Sequence, residues 1–429
     1  MFALVPILAQ AANLAVGDRT EVRARFDKYS GTAEASTSPF ASVELADKRW
    51  NLQLRYSPSL TLTRIDGYQD RTLIVFHTAQ LVGQLRLRRF SLSLSEAGSY
   101  GERNFFVDAL GYNGTTTPPL PAGGLVGTPA APGAPQTPGP GGTTGTGTTG
   151  TGTTNPATNP TVAANLDAGT VRYGSSTTQA NLGYAASRRT TTGAYARYMV
   201  SGGLDDRSKQ YYPIIRNPSF GAFYGYQFSP RSGIGTNLQG SYSTSSLGIQ
   251  TYTADINAGY RYRFSKAFAV TFGLGVGYAR VIYADGDVLE YVYLAAGVGS
   301  GLSVEYRTKF QQGLLTLYAR VGYAPALDQL TALLDQRLSW GVGATWTRKR
   351  LALYAGVASS ISLKVTDTGA FDVFNAAIGG SYTLGGGFTT DAGVRGTWQA
   401  FEGKQTIPPS CAVFVGLSWG GNKTLGGGR

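Results

Sequence analysis

From about Thr20 to Trp419 the chain repeats one pattern: runs of about 8–13 residues in which apolar and polar or small positions alternate, each closed by a turn. Residues 267–279 illustrate it. Phe268, Val270, Phe272, Leu274, Val276 and Tyr278 fall on one side, and Ala267, Ala269, Thr271, Gly273, Gly275 and Gly277 on the other. A period of two places alternate side chains on opposite faces of a strand and is incompatible with a helix. The same phase recurs in 50–57 (Trp50, Leu52, Leu54 and Tyr56 apolar), in 252–264 (Tyr252 through Phe264) and in 337–347 (Leu338, Trp340, Val342, Ala344 and Trp346 apolar).

These runs exceed the ~5–6 residues usual for strands of soluble sheets. Aromatic residues often close the apolar face, as in Trp340/Trp346, Tyr252/Phe264 and Phe388/Trp398. An apolar band with aromatic ends, backed by a polar, small-residue face, predicts a transmembrane antiparallel up-and-down β-barrel, an all-β fold. Tight connections stand at Lys48-Arg49, Arg88-Arg89, Arg188-Arg189, Ser229-Pro230-Arg231, Ser265-Lys266, Lys309-Phe310-Gln311, Arg348-Lys349-Arg350 and Gly385-Gly386. Longer Asp-, Gly- and Pro-containing segments (201–216, 282–288, 325–336, 363–370, 401–409) separate these hairpins. Adding a first strand near 20–28 and a last at 411–419 predicts about 18 strands over 20–419, or 16 if the first and the one near 102–109 fail. Both termini then lie on the short-turn side.

Composition narrows the function. Only 14% of residues are charged and 59 are Gly, against about 25% and about 7% in ordinary soluble domains. One Cys and one His leave no internal disulfide and no Cys/His metal or iron–sulfur site, so no cofactor and no metal are expected. Residues 1–11 read as a signal peptide, with the apolar run FALVPILAQA ending in Ala9-Gln10-Ala11. Residues 113–164, almost entirely Gly, Thr, Pro, Ala and Asn, cannot bury a core and are expected to be a disordered external loop inserted in the barrel. Residues 420–429 are expected to be a flexible tail.

The layout resembles bacterial outer-membrane β-barrel proteins of the porin type. The final run Val413-Phe414-Val415-Gly416-Leu417-Ser418-Trp419 alternates and closes on an aromatic, like the C-terminal strand that the barrel-insertion machinery reads in that class, although ten residues follow it here. The resemblance implies an outer-membrane location, a lipid surround and a pore or conduit for solutes or a polymer. Two alternatives stand beside it: a polysaccharide export channel working with a periplasmic partner, and a structural or surface-display barrel acting through its long loop.

Chemistry must then lie on the inward face. Phase places Arg23, Arg25, Arg55, Arg197, Arg261, Arg263, Arg320 and Arg395 there, with the fewer acids Glu21, Asp27, Asp255, Glu305 and Asp391. Surplus cations on a low-dielectric wall favour anions, unless Arg–Asp pairing neutralises them. Inward aromatics Tyr195, Phe223, Tyr291, Tyr293, Tyr318 and Tyr354 either stack on flat ligands or pack over glycines, for which the rows Gly273/Gly275/Gly277 and Gly297/Gly299/Gly301 are the candidates. The Gly-x-Gly-x-Gly of 273–277 lacks the helix start that a dinucleotide site requires. His77 has no serine tied to it, so no catalytic residue is assigned and no enzyme is expected. Cys411 takes the lipid-facing phase. The net charge of +12 arises from basic short turns opposed to Asp-bearing long loops, not from a nucleic-acid stripe.

Replacing 113–164 by a short Gly/Ser loop is expected to leave a heat-modifiable folded band on a gel. Loss of that band would show that the segment packs into the barrel.

Overall fold

A computed structural model describes residues 11–26, 31–47, 49–65, 72–104, 170–295, 301–327, 334–362, 371–401 and 405–425. The strands in chain order are β1 (Ala11–Phe26), β2 (Gly31–Thr37), β3 (Phe40–Ala46), β4 (Trp50–Ile65), β5 (Thr72–Arg86), β6 (Phe90–Asn104) and β7 (Thr170–Ala185). There follow β8 (Thr190–Gly203), β9 (Ile215–Ser229), β10 (Ser232–Ser245), β11 (Gln250–Arg263), β12 (Phe268–Ile282) and β13 (Val288–Ala295). The remainder are β14 (Gly301–Phe310), β15 (Gly313–Leu327), β16 (Leu334–Arg348), β17 (Leu351–Ser362), β18 (Phe371–Gly385), β19 (Phe388–Phe401) and β20 (Gln405–Leu425).

Two pairs of segments are halves of one stave. β2 and β3 both pair with β1 and with β4, and β13 and β14 both pair with β12. The sheet is therefore an antiparallel barrel of 18 strands, closed where β1 pairs with β20 from Ala12↔Leu425 to Phe26↔Cys411. Its tight turns match those read from sequence. Gln311 and Gln312, both at positive φ (47° and 63°), make a two-residue turn, a geometry that follows the twist of the flanking strands. Gly385, Gly386 and Gly387 turn the chain between β18 and β19 with φ of 107°, 61° and 85°, which side chains rarely tolerate.

Strand pairing extends on both sides of 20–419. Residues 11–19 belong to β1 and 420–425 to β20, where Gly17↔Gly420 and Ala12↔Leu425 are rungs of the closing ladder. The segment Gly420–Leu425 has no alternating apolar face and is strand because β1 supplies its hydrogen-bond partners. Residues 1–10, 113–164 and 426–429 lie outside the described residues, as does the far end of the strand expected near 102–109.

The two faces separate as the period requires. Leu274, Val292 and Leu294 leave 58, 71 and 72% of their surface uncovered, as side chains meant for hydrocarbon do. Among the described residues the buried hydrophobic cluster is only Ala279 and Tyr293, with Tyr291 against them. Order inside comes instead from rings seated on glycines. In direct cross-strand pairs Tyr195 covers Gly221, Phe223 covers Gly193, Tyr293 covers Gly277, Tyr318 covers Gly343 and Tyr354 covers Gly379. Phe40 covers Gly17 and Phe414 covers Gly393 in the same way. The expected glycine rows take little part: in 273–277 only Gly277 receives a ring, Asn257 occupies the space over Gly275, and Gly297 and Gly299 lie outside the described residues.

On the long-loop side a short helix, α1 (Asp206–Tyr211), follows β8. The Asp205 carboxylate accepts the Ser208 N–H at 2.7 Å and caps α1, and chiefly that hydrogen bond holds its carboxyl below the ordinary aspartate value.

A Cβ on Gly343 would stand 2.4 Å from the Tyr318 ring. Gly343→Ala is therefore expected to cost about 1–3 kcal/mol through overpacking, and adding Tyr318→Ala should recover part of it. Urea unfolding from lipid vesicles measures both; strictly additive losses would refute the ring-on-glycine contact.

Candidate functional site: the inner wall

Register fixes which side chains face the interior. Arg23, Arg25, Arg55, Arg197, Arg261, Arg263, Arg320 and Arg395 all alternate with outward apolar residues, as do Glu21, Asp255, Glu305 and Asp391. Asp27 lies outside the described residues. The same face carries Arg19, Glu34, Glu44 and Arg307, which the sequence reading did not include. Arg19 lay in the stretch left out of the barrel. Glu34 sits in the short β2, whose Gly, Ala, Ser and Thr give no apolar phase to count from. Arg307 shares the phase of Glu305 and was there to be found.

These groups divide into two kinds. Across the closing seam they form a chain of ion pairs. Arg23 Nη2 meets Glu21 Oε1 at 2.5 Å, and its Nη1 lies 3.5 Å from Glu34. Arg19 Nη2 donates to Glu21 at 3.0 Å and to Asp391 at 3.1 Å. Asp391 stands on β19 and Arg19 on β1, so the carboxylate passes over β20 between them. Gly416 makes the passage: a Cβ there would lie 2.7 Å from Asp391 Oδ1. Elsewhere Arg307 pairs with Glu305 on its own strand. Asp255 is held by amides, accepting from Gln239 Nε2 at 2.8 Å and Asn257 Nδ2 at 2.5 Å, while Gln239 Oε1 accepts from the Tyr195 hydroxyl at 3.0 Å.

The second kind has no carboxylate partner among the described residues: Arg55, Arg197, Arg261, Arg263, Arg320 and Arg395. Arg197, Arg320 and Arg395 occupy the same step of their strands, each seven residues beyond the strand's first residue (Thr190, Gly313 and Phe388) after a tight turn. Arg55 lies with its guanidinium carbon 4.6 Å from the centroid of Phe40, and Arg395 lies 4.7 Å from that of Phe414. Among the described residues six inward arginines thus lack a carboxylate partner, Arg197 donating to Met199 Sδ at 3.8 Å and Arg395 to the Tyr354 hydroxyl, against two inward acids, Asp255 and Glu44, that are held by amides instead of arginines. Pairing neutralises the seam and leaves the rest of the wall cationic, a division that one-strand phase counting could not foresee.

The rings of Tyr195, Tyr318 and Tyr354 each lie down on the glycine opposite, Gly221, Gly343 and Gly379. On the outer wall the Tyr56 hydroxyl and His77 Nδ1 are 2.7 Å apart, so the histidine's hydrogen-bond partner is a tyrosine. Cys411 is exposed in the lipid-facing phase.

The sequence profile of the EpsX exopolysaccharide export family matches residues 9–420. The chain belongs to this family. No curated protein sequence matches it. Among solved structures it is similar to the FrpB iron transporter of Neisseria meningitidis (F3-3 variant), with 11% identity and a TM-score of 0.48 over 90% of this chain and 62% of that one. It is also similar to OpdQ of Pseudomonas aeruginosa, with 9% identity and a TM-score of 0.44 over 96% and 99% of the two chains. OccK7 of Pseudomonas aeruginosa gives 9% and 0.42 over 97% and 100%. The present chain spans less than two thirds of the FrpB F3-3 chain. The chain is thus a closed barrel of 18 strands belonging to the EpsX exopolysaccharide export family.

Glu21 is 7% exposed and serves two arginines, whereas Asp391 serves Arg19, which is 46% exposed. Glu21→Gln is therefore expected to cost about 1–3 kcal/mol, because it removes the charge shared by Arg19 and the buried Arg23 and leaves Arg23 to Glu34, and Asp391→Asn at most about 1 kcal/mol. Urea midpoints of the two variants in vesicles give the ranking, and equal losses would contradict it.

Proposed function

We propose that this EpsX-family barrel is the outer-membrane conduit through which an anionic exopolysaccharide leaves the cell. The observation that carries the reading is the inward set of arginines without carboxylate partners among the described residues, on a closed barrel of 18 strands. Barrels of that strand number enclose a lumen wide enough for a hydrated chain. Positive charge on a low-dielectric wall concentrates anions and lowers the barrier for a polyanion to enter. Arg55, Arg197, Arg261, Arg263, Arg320 and Arg395 line the path in this reading. Asp255, Glu305 and Asp391 temper it locally, and Tyr195, Tyr318 and Tyr354 narrow it.

The tight-turn rim faces the periplasm and receives the polymer from a periplasmic export partner. The run Val413–Trp419, which β20 carries to the closing seam, is the segment addressed by the insertion machinery. The family's export role and the inward cations together support a passage rather than a catalytic site.

Planar-bilayer recording tests this. The wild-type protein is expected to conduct with a preference for anions that fades as salt screens the wall. Replacing Arg197, Arg320 and Arg395 together by Gln should move the reversal potential in a salt gradient toward that of cations. A cation-selective wild type, or a triple variant indistinguishable from it, refutes the anionic path.

A further inference from the structure

Two of the arginines without a carboxylate partner among the described residues are mounted differently from the others. Arg55 of β4 lies over the Phe40 ring, and that ring occupies the space a Cβ on Gly17 would need, with Phe40 Cε1 2.5 Å from the Cβ position. Arg395 lies over the Phe414 ring, which in turn rests against Gly393, with Phe414 Cζ 2.8 Å from the Cβ position there. Each is a three-layer stack of glycine, phenylalanine and guanidinium built on the inner wall, and the stacks flank the closing seam from β4 and β19. Phe414 is 2% exposed, so its layer is held on both faces.

Stacking restrains the guanidinium plane through a cation–π contact and keeps N–H groups at its edge for a ligand, Arg395 giving one of its own to the Tyr354 hydroxyl. A planar fork held in place loses less freedom on binding a carboxylate or a sulfate or phosphate ester than a lysine or a free arginine does, and it can engage two oxygens at once. Among the described residues no carboxylate makes an ion pair with either fork: Asp391, the acid nearest in sequence to Arg395, is bonded to Arg19 at 3.1 Å and acts on Arg395 through its charge alone. The seam network thus takes up the hydrogen bonds of Asp391, whose charge still tempers Arg395.

We propose that Arg55 and Arg395, each fixed on its phenylalanine, are two binding stations for oxyanion substituents on the sugar rings of a passing polysaccharide. This rests on the conduit reading and adds where, and by what chemistry, the polymer is held. Charge alone would spread the attraction over the whole wall. The stacks concentrate it at two places where fork geometry matters.

Equilibrium binding of hexagalacturonate to the full-length protein in detergent is the test, because it does not require conduction. Binding is expected for hexagalacturonate or for a sulfated hexasaccharide and not for maltohexaose, and the preferred anion identifies the substituent as carboxylate or ester. Arg55→Lys with Arg395→Lys keeps the net charge and should weaken binding at least tenfold. Phe40→Leu with Phe414→Leu, which keeps both arginines, should do the same. Arg64→Gln with Lys209→Gln removes two charges at the opposite, long-loop end and should change binding less than twofold. Equal binding by the Lys pair and the wild type, or equal binding of maltohexaose, overturns the stations. Should the Leu pair fail to give a heat-modifiable folded band, the Lys pair decides. Bilayer conductance of the same preparations reports separately on the conduit, so a conducting barrel that binds no anionic oligosaccharide refutes the stations and leaves the passage standing.

Discussion

A strand in hydrocarbon has no water to satisfy its N–H and C=O groups, so every strand must find a neighbour on each side and the sheet must close. In this chain closure depends on one ladder, between β1 and β20, whose rungs run from Ala12↔Leu425 to Phe26↔Cys411. The rest follows from that demand. Alternation divides each strand between lipid and interior, and whatever chemistry the protein has is forced onto the inward half. The inner face cannot be apolar because it is wetted, and it cannot be a packed core because it surrounds a path.

The chain resolves this conflict with glycine. Small inward residues let the strands coil, and a ring from the adjacent strand lies in the hollow each glycine leaves, as Tyr318 does on Gly343 and Tyr354 on Gly379. The ring fixes register, because a slip of one residue would drive it into the lipid-facing row. The same device becomes a mounting where an arginine covers the ring, at Phe40 and Phe414. Stability and recognition thus share one element, which explains why so many inward positions are either glycine or aromatic.

What could be read from the chain beforehand was whatever a single strand encodes. The period of two, the basic hairpins and the phase of Arg261 or Arg395 are local, and the barrel and its strand number follow from them. What depends on a neighbour was hidden. Arg19 and Asp391 are 372 residues apart, and no spacing rule links them. Gly416 gives no sign in sequence that a carboxylate passes over it. Residues 420–425 look like a tail because their reason for being strand lies in β1. The partners of the inward rings were sought in glycine rows on one strand, yet each ring chooses the glycine opposite it.

Closure by the first and last strands also sets an order of events in biosynthesis. β1 is made early and carries an unpaired edge until β20 appears, some 400 residues later. Through that interval its buried-to-be arginines and glutamate face water or a chaperone, and the exposed edge can pair wrongly with another chain. A nascent or truncated chain lacking its end cannot become a smaller barrel, because Glu21, Arg23 and Arg19 would line an open margin with Asp391 missing its route across β20. The seam therefore acts as a lock: only a chain that has reached β20 can seal itself off from the lipid.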